Sequence, residues 1–172
     1  MIATNINAYL IDAKNIYIKS RTNAISSSLP LMIKGSMPND GGNLLLDSNE
    51  KNNLIRNRPN SLIIIKKVLG AAEFIRGIDR YCLWITDEIK NLAFEIPEIR
   101  KRIELTKVHR LKSDNKAARL AASKPYKFFT ISHKNTNSII VPSVSSERRD
   151  YIPIGFIEKD TIVTNLAFVI YD

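Results

Sequence analysis

The residues whose types and spacing come nearest to a reaction centre are Asp79, Glu88 and Lys90. An acidic residue followed by Glu-x-Lys is the pattern of metal-dependent nucleases, in which carboxylates hold Mg²⁺ and the lysine assists the attacking water. Such carboxylates must converge on one ion at about 2.1 Å. Between them here lies Arg80–Thr86, an aromatic and β-branched run that reads as a strand, and seven strand residues span about 23 Å. A Mg-dependent nuclease is therefore the weakest reading the sequence supports. His109, His133 and the single Cys82 do not make a structural zinc site of the usual spacing, so no metal site is expected, and both histidines read as polar surface or phosphate-contacting residues. The turn at Gly35–Gly42 has neither a following Lys-Ser/Thr nor G-x-G-x-x-G, which leaves it a turn and not a nucleotide cradle. Adenine-directed amino-methylation needs an Asn/Asp-Pro-Pro-aromatic loop, and none is present. The chain reads as non-catalytic and without a cofactor of its own.

Charge points elsewhere. The 172 residues carry a net +9. Ten basic residues lie between Arg100 and Lys127, namely Arg100, Lys101, Arg102, Lys107, Arg110, Lys112, Lys116, Arg119, Lys124 and Lys127. Only Glu104 and Asp114 oppose them, so a net +8 falls in about one sixth of the chain. Crowded like charges repel, and a polyanion relieves them by replacing condensed counterions. Nucleic acid is the leading reading, against a solvated helical face and an anionic lipid surface. No apolar run approaches the roughly 20 residues of a membrane span, and the N-terminus lacks the pattern of a signal peptide. A lone cysteine excludes an internal disulfide, and a cytoplasmic setting is expected.

The elements that must position these groups can be read locally. Asn15–Lys19 alternates and predicts a strand. Met37–Gly42 contains Asn-Asp-Gly-Gly, which tolerates positive φ and predicts a tight turn. Asp47 with Glu50 three residues on predicts a capped helix that Pro59 ends. Ser61–Leu69 fits either helix or strand. Pro97 suits the first turn of a helix through Glu98–Leu111, whose apolar positions (Ile99, Ile103, Leu105, Val108 and Leu111) form a ragged stripe, and a second helical piece covers Asn115–Ser123. After Pro125 the short runs Lys127–Ser132, Ser138–Val144, Tyr151–Ile157 and Thr161–Tyr171 read as strands. The expected class is α+β, a single domain with helices segregated from a largely antiparallel sheet.

Several separated blocks then carry a resemblance. Asn5–Asp12, Gly35–Leu46, Gly70–Arg76, Tyr81–Trp84 and Val141–Phe156, in this order, resemble the target recognition domain of MmeI-like (type IIL/IIG) restriction–modification enzymes. The resemblance implies a DNA target recognition domain over residues 1–172, a piece of a larger enzyme that stops at Asp172 before the family's later specificity segment. It also implies a parent polypeptide with nuclease and adenine-methyltransferase domains, using S-adenosylmethionine and Mg²⁺, and double-stranded DNA as the partner.

Site residues follow from the same resemblance. Ser143 and Asn165 match a side-chain pair that sets a base, and Leu166 an adjoining discriminating position. Asparagine suits this chemistry, since it can pair bidentately with adenine. Ser143 departs from the charged residue often found there, and both it and Asn165 also read as turn or strand-edge residues, while Leu166 reads equally as core. Arg148 and Arg149 beside Ser145-Ser146 suit phosphate oxygens, or one of them pairs with Glu147 or Asp150. Arg100, Lys101, Lys107, Arg110, Lys112, Lys116 and Arg119 are expected to hold the DNA backbone. The alternative is a nucleic-acid-binding module, of DNA or RNA, that reads no sequence.

Overall fold

The structure, a computed structural model, describes residues 5–7, 10, 12–17 and 26–172. It has two four-stranded sheets, largely antiparallel, with helices packed on them, so the expected α+β class holds. Strand β1 (Met32–Lys34) precedes a glycine-rich turn, β2 (Leu45–Leu46) and helix α1 (Ser48–Asn57). The α1 capping box is as read: Asp47 Oδ1 accepts from Glu50 N at 2.8 Å and Glu50 Oε2 accepts from Asp47 N at 3.0 Å, which satisfies two helix-end donors. The ambiguous Ser61–Leu69 segment is both kinds of structure in turn, a 3₁₀ helix at Pro59–Ile64 running into β3 (Ile65–Leu69). There follow α2 (Ala71–Arg76), β4 (Tyr81–Leu83), α3 (Lys90–Glu95), α4 (Pro97–Leu111) and α5 (Lys116–Ala121). The chain closes on β5 (Ser138–Pro142), β6 (Gly155–Ile157), β7 (Thr161–Val163) and β8 (Ala167–Tyr171).

One sheet has the order β2-β4-β3-β7 and the other β1-β8-β5-β6. Every pairing is antiparallel except β3 with β7. Thr161–Tyr171, expected as one strand, is therefore two strands in two sheets, joined by a corner at residues 164–166. Lys127–Ser132 forms no strand; Thr130 makes an isolated bridge with Met37. Asn15, Ile16 and Tyr17 are in no strand, and Ile18 and Lys19 lie outside the described residues. No helix among the described residues is long and apolar enough to cross a membrane.

The larger core joins the first sheet to the helices through Leu44, Leu46, Ile64, Val68, Leu83, Ile99, Ile103 and Ile162, and it includes Cys82. Burial pushes the Cys82 thiol up, so it behaves as a small apolar side chain and not as a nucleophile. A smaller core, with Ile140, Val169 and Ala167 at its centre, lies on the second sheet.

The ragged stripe of α4 has a specific cause. Its buried face runs Ile99, Ile103, Thr106, Arg110, while Leu105, Val108 and Leu111 are turned to solvent. These positions fall on one helical face at i, i+4, i+7 and i+11. Thr106 is accommodated by donating its hydroxyl to Arg102 O at 2.9 Å.

Candidate nucleic-acid interface

Arg110 corrects one expectation outright. It is 1% exposed, and its five N–H groups donate to the carbonyls of Pro38, Asn39, Ala121, Lys124 and Lys127 at 2.6–3.2 Å. Five is the full donor count of a guanidinium, so nothing is left for a phosphate. Burial lowers its pKa, and the nearby Asp40 carboxylate acts in the opposite direction. Arg110 fastens α4, the segment after α5 and the glycine-rich turn together.

The rest of the basic segment divides in two. Arg102 donates to Asn43 O and Leu45 O, both at 3.1 Å, and pairs with Glu50. Lys127 pairs with Asp87, and the Lys127 and Tyr126 hydrogen bonds hold that carboxyl down to about 2. Arg119 is exposed but donates to Ser113 O and Asp114 O at 2.7 and 2.8 Å. Arg100, Lys101, Lys107, Lys112 and Lys116 are exposed, and their side chains make no hydrogen bond or ion pair among the described residues. The chain therefore keeps an unpartnered cationic surface along α4 and the start of α5, smaller than the charge count suggests.

The turn that Arg110 grips is built as its residues dictate. Asn39, Gly41 and Gly42 have φ of 42°, 65° and 84°. Asp40 closes the turn by accepting from Gly42 N and Leu44 N. Just upstream, the motif meets the corner between the sheets: Asn165 N donates to Ser36 O at 3.0 Å and Ser36 N to Val163 O at 2.7 Å. A Cβ on Gly35 would lie 2.4 Å from Thr164 O and 2.5 Å from Val163 O. Those are backbone atoms, so they cannot swing aside. Gly35→Ala is expected to destabilise the chain by about 1–3 kcal/mol, the usual range for overpacking, read as a fall in the urea midpoint; an unchanged midpoint would mean the corner tolerates a shift.

The corner brings together residues that are far apart in sequence. β5 pairs with β8 through Pro142 and Ala167, which sets Ser143 beside Leu166. The Ser143 hydroxyl donates to Leu166 O at 2.6 Å, and its N–H reaches the same oxygen at 3.4 Å. Asn165 is half-buried, and its side-chain amide makes no hydrogen bond among the described residues. Leu166 is 55% exposed, which excludes the core reading for it. Ser143, Asn165 and Leu166 thus share one rim of the second sheet, fixed by backbone hydrogen bonds on both sides.

Arg148 and Arg149 are exposed and pair with neither Glu147 nor Asp150. Arg149, Ser145 and Ser146 line a cleft of about 360 Å³ whose other wall is α2, with Arg76 at its end. Sequence reasoning missed Arg76, because only the packing of α2 against this loop sets it opposite Arg149. His133 departs from the surface reading: it packs edge-on to Trp84 and Tyr171, with centroids 5.5 and 6.4 Å away, and burial followed by Lys66 lowers its pKa. Asp79 is paired with Lys67 at 3.0 Å, and no group of three or more His, Cys, Asp or Glu among the described residues could hold a metal ion.

This two-sheet α+β domain, with a polar rim at the sheet corner and a cationic helical flank, has close counterparts. The family described as MmeI, target recognition domain, matches residues 12–172. The chain belongs to that family. It is 45% identical to DNA methyltransferase A of Bacillus subtilis (strain 168) over 172 residues, covering 99% of this chain and 19% of that protein. It superimposes on the type IIL restriction–modification enzyme MmeI, solved in complex with DNA, with a TM-score of 0.86 and 38% identity, over 99% of this chain and 23% of that one. The chain thus spans about a fifth of the length of these relatives.

Proposed function

We propose that the chain selects a DNA sequence for a larger enzyme. The observation that carries this reading is the rim formed by Ser143, Asn165 and Leu166. An asparagine amide with no partner among the described residues, held by backbone bonds at an exposed edge, is equipped to donate to and accept from one base edge. Ser143 keeps acceptor capacity after donating to Leu166 O, and Leu166 offers apolar contact. Arg100, Lys101, Lys107, Lys112, Lys116, Arg148 and Arg149, with Arg76 added, would hold phosphates and set the register without reading sequence. Arg119 contributes only what its two carbonyl contacts leave.

In the parent polypeptide this domain would present duplex DNA to a methyltransferase domain, so that an adenine can be taken out of the stack. The names of the relatives support that assignment. S-adenosylmethionine and, for cleavage, Mg²⁺ would be held by other domains, and a cytoplasmic setting follows from a DNA substrate.

The test is a fluorescence-anisotropy titration against randomised duplex DNA at low and moderate salt, with sequencing of the bound fraction. Salt-sensitive binding with an enriched motif supports a reader. Binding without enrichment favours a backbone-only module, and no binding at low salt sinks DNA recognition by this chain. Asn165→Ala is expected to lose about 1–3 kcal/mol on the enriched site and little on other duplexes; equal losses everywhere would make Asn165 structural.

A further inference from the structure

The loop joining β5 to β6, together with strand β6, carries an apolar surface that the base-reading rim does not explain. Val144, Tyr151, Ile152, Ile154 and Phe156 are 69, 86, 71, 62 and 89% exposed. Five uncovered large apolar side chains within thirteen residues mark a surface that meets a partner. Both roots of the loop are anchored. Ser143 is tied to Leu166 O, and Gly155 lies so close to Phe74 that a Cβ there would sit 2.7 Å from the ring. The loop thus leaves the rim directly at Ser143, one residue before Val144, and its first half runs along α2. Arg148 and Arg149 are flanked by Glu147 and Asp150 but paired with neither, so they stay available to phosphates beside the uncharged Tyr151 and Ile152.

We infer that this loop is a wedge whose Tyr151 and Ile152 press into a base-pair step of duplex DNA next to the bases that face Ser143 and Asn165. The inference rests on the DNA-reading function proposed above. Continuity with the rim, and the Arg76–Arg149 cleft at the loop's foot, favour DNA over a protein as the occupant. Apolar side chains driven against a step unstack it partially and kink the duplex, and a tyrosine ring can stack on an exposed base. A neutral wedge of this kind changes DNA shape without releasing counterions, so its removal leaves the salt dependence alone.

The experiment uses a duplex carrying the enriched site, dye-labelled at both ends and with 2-aminopurine placed in turn at each position of the site. Wild-type chain is expected to shorten the end-to-end distance and raise 2-aminopurine emission several-fold at one step. The Tyr151→Ala/Ile152→Ala variant is expected to bind with the same salt slope and to lose both signals, while Tyr151→Phe keeps them. Because both side chains point to solvent, circular dichroism and the urea midpoint should match the wild type. If wild-type chain binds without bending or unstacking, or if the double variant retains both signals, the wedge is overturned and the DNA-reading function stands. If wild-type chain binds no duplex at any salt, both fall together.

Discussion

Arg110→Met is expected to destabilise the chain by about 3–5 kcal/mol, because buried carbonyls left without a donor cost about 1–3 kcal/mol each. Methionine keeps the apolar stem of the arginine and loses the guanidinium, so the loss comes mainly from polarity. Five carbonyls lose a donor at once; those of Pro38, Ala121 and Lys124 keep a backbone N–H, from Phe129, Lys124 and Lys127, while those of Asn39 and Lys127 are left without a donor among the described residues. Each would cost about 1–3 kcal/mol if left dry; water entering from the surface of the α5 segment recovers part of that. Against a total stability of about 5–15 kcal/mol, the remainder is a large share. With an m-value near 2 kcal/mol/M, the urea midpoint should fall by roughly 2 M. Arg110→Lys should not rescue it, because an ammonium has three donors and no planar fork. The exposed Lys107→Met should stay within about 0.5 kcal/mol of wild type. A loss below 1 kcal/mol for Arg110→Met would mean that the carbonyls are rehydrated and that the guanidinium is not the clasp.

The same residue shows where the sequence was legible and where it was not. Asp47 and Glu50, Pro97, Asn115 and the Asn-Asp-Gly-Gly turn were readable because cap and turn chemistry act over three or four residues. The buried face of α4 was not. The arginine takes a core position there because carbonyls from two other segments, Pro38–Asn39 and Ala121–Lys127, converge on it, and the threonine because its hydroxyl is spent on Arg102 O, while Leu105, Val108 and Leu111 face out. No local pattern encodes that convergence. The split of Thr161–Tyr171 into β7 and β8 was hidden for a related reason: β-branched residues suit either sheet, and the corner at Thr164–Leu166 is set by Ser36 and Gly35, some 130 residues earlier. Ser143 and Asn165 were named from the family resemblance alone. What brings them to one rim is the β5–β8 register, which their spacing in the chain does not announce. Arg76 carried no signal at all beyond being a surface arginine.

Charge removal should act differently at cations the fold has already bonded and at those it has left free. Lys107, Lys112 and Lys116 are exposed and unpartnered among the described residues, and Lys116 stands at the first position of α5, where the helix dipole disfavours a cation. A lysine kept there gains nothing from the fold, which fits a contact outside it. Their joint replacement by alanine is expected to weaken binding to every duplex, cognate or not. If each neutralises one phosphate, the log–log salt slope falls by about 2.7, at 0.9 per contact on B-DNA. At 0.1 M salt that slope corresponds to a loss of roughly 10²–10³ in affinity. Folding should be untouched, since none of the three is buried. Arg119→Ala serves as the contrast: it also releases Ser113 O and Asp114 O, so it should loosen the α4–α5 connection as well as any phosphate contact. The decisive comparison is between slopes. A triple variant with lower affinity and the wild-type slope would take α4 out of the DNA interface and turn its cationic face towards another domain of the parent protein. A slope lowered by two to three, with the sequence preference of the remaining binding intact, would separate the holding surface from the reading rim.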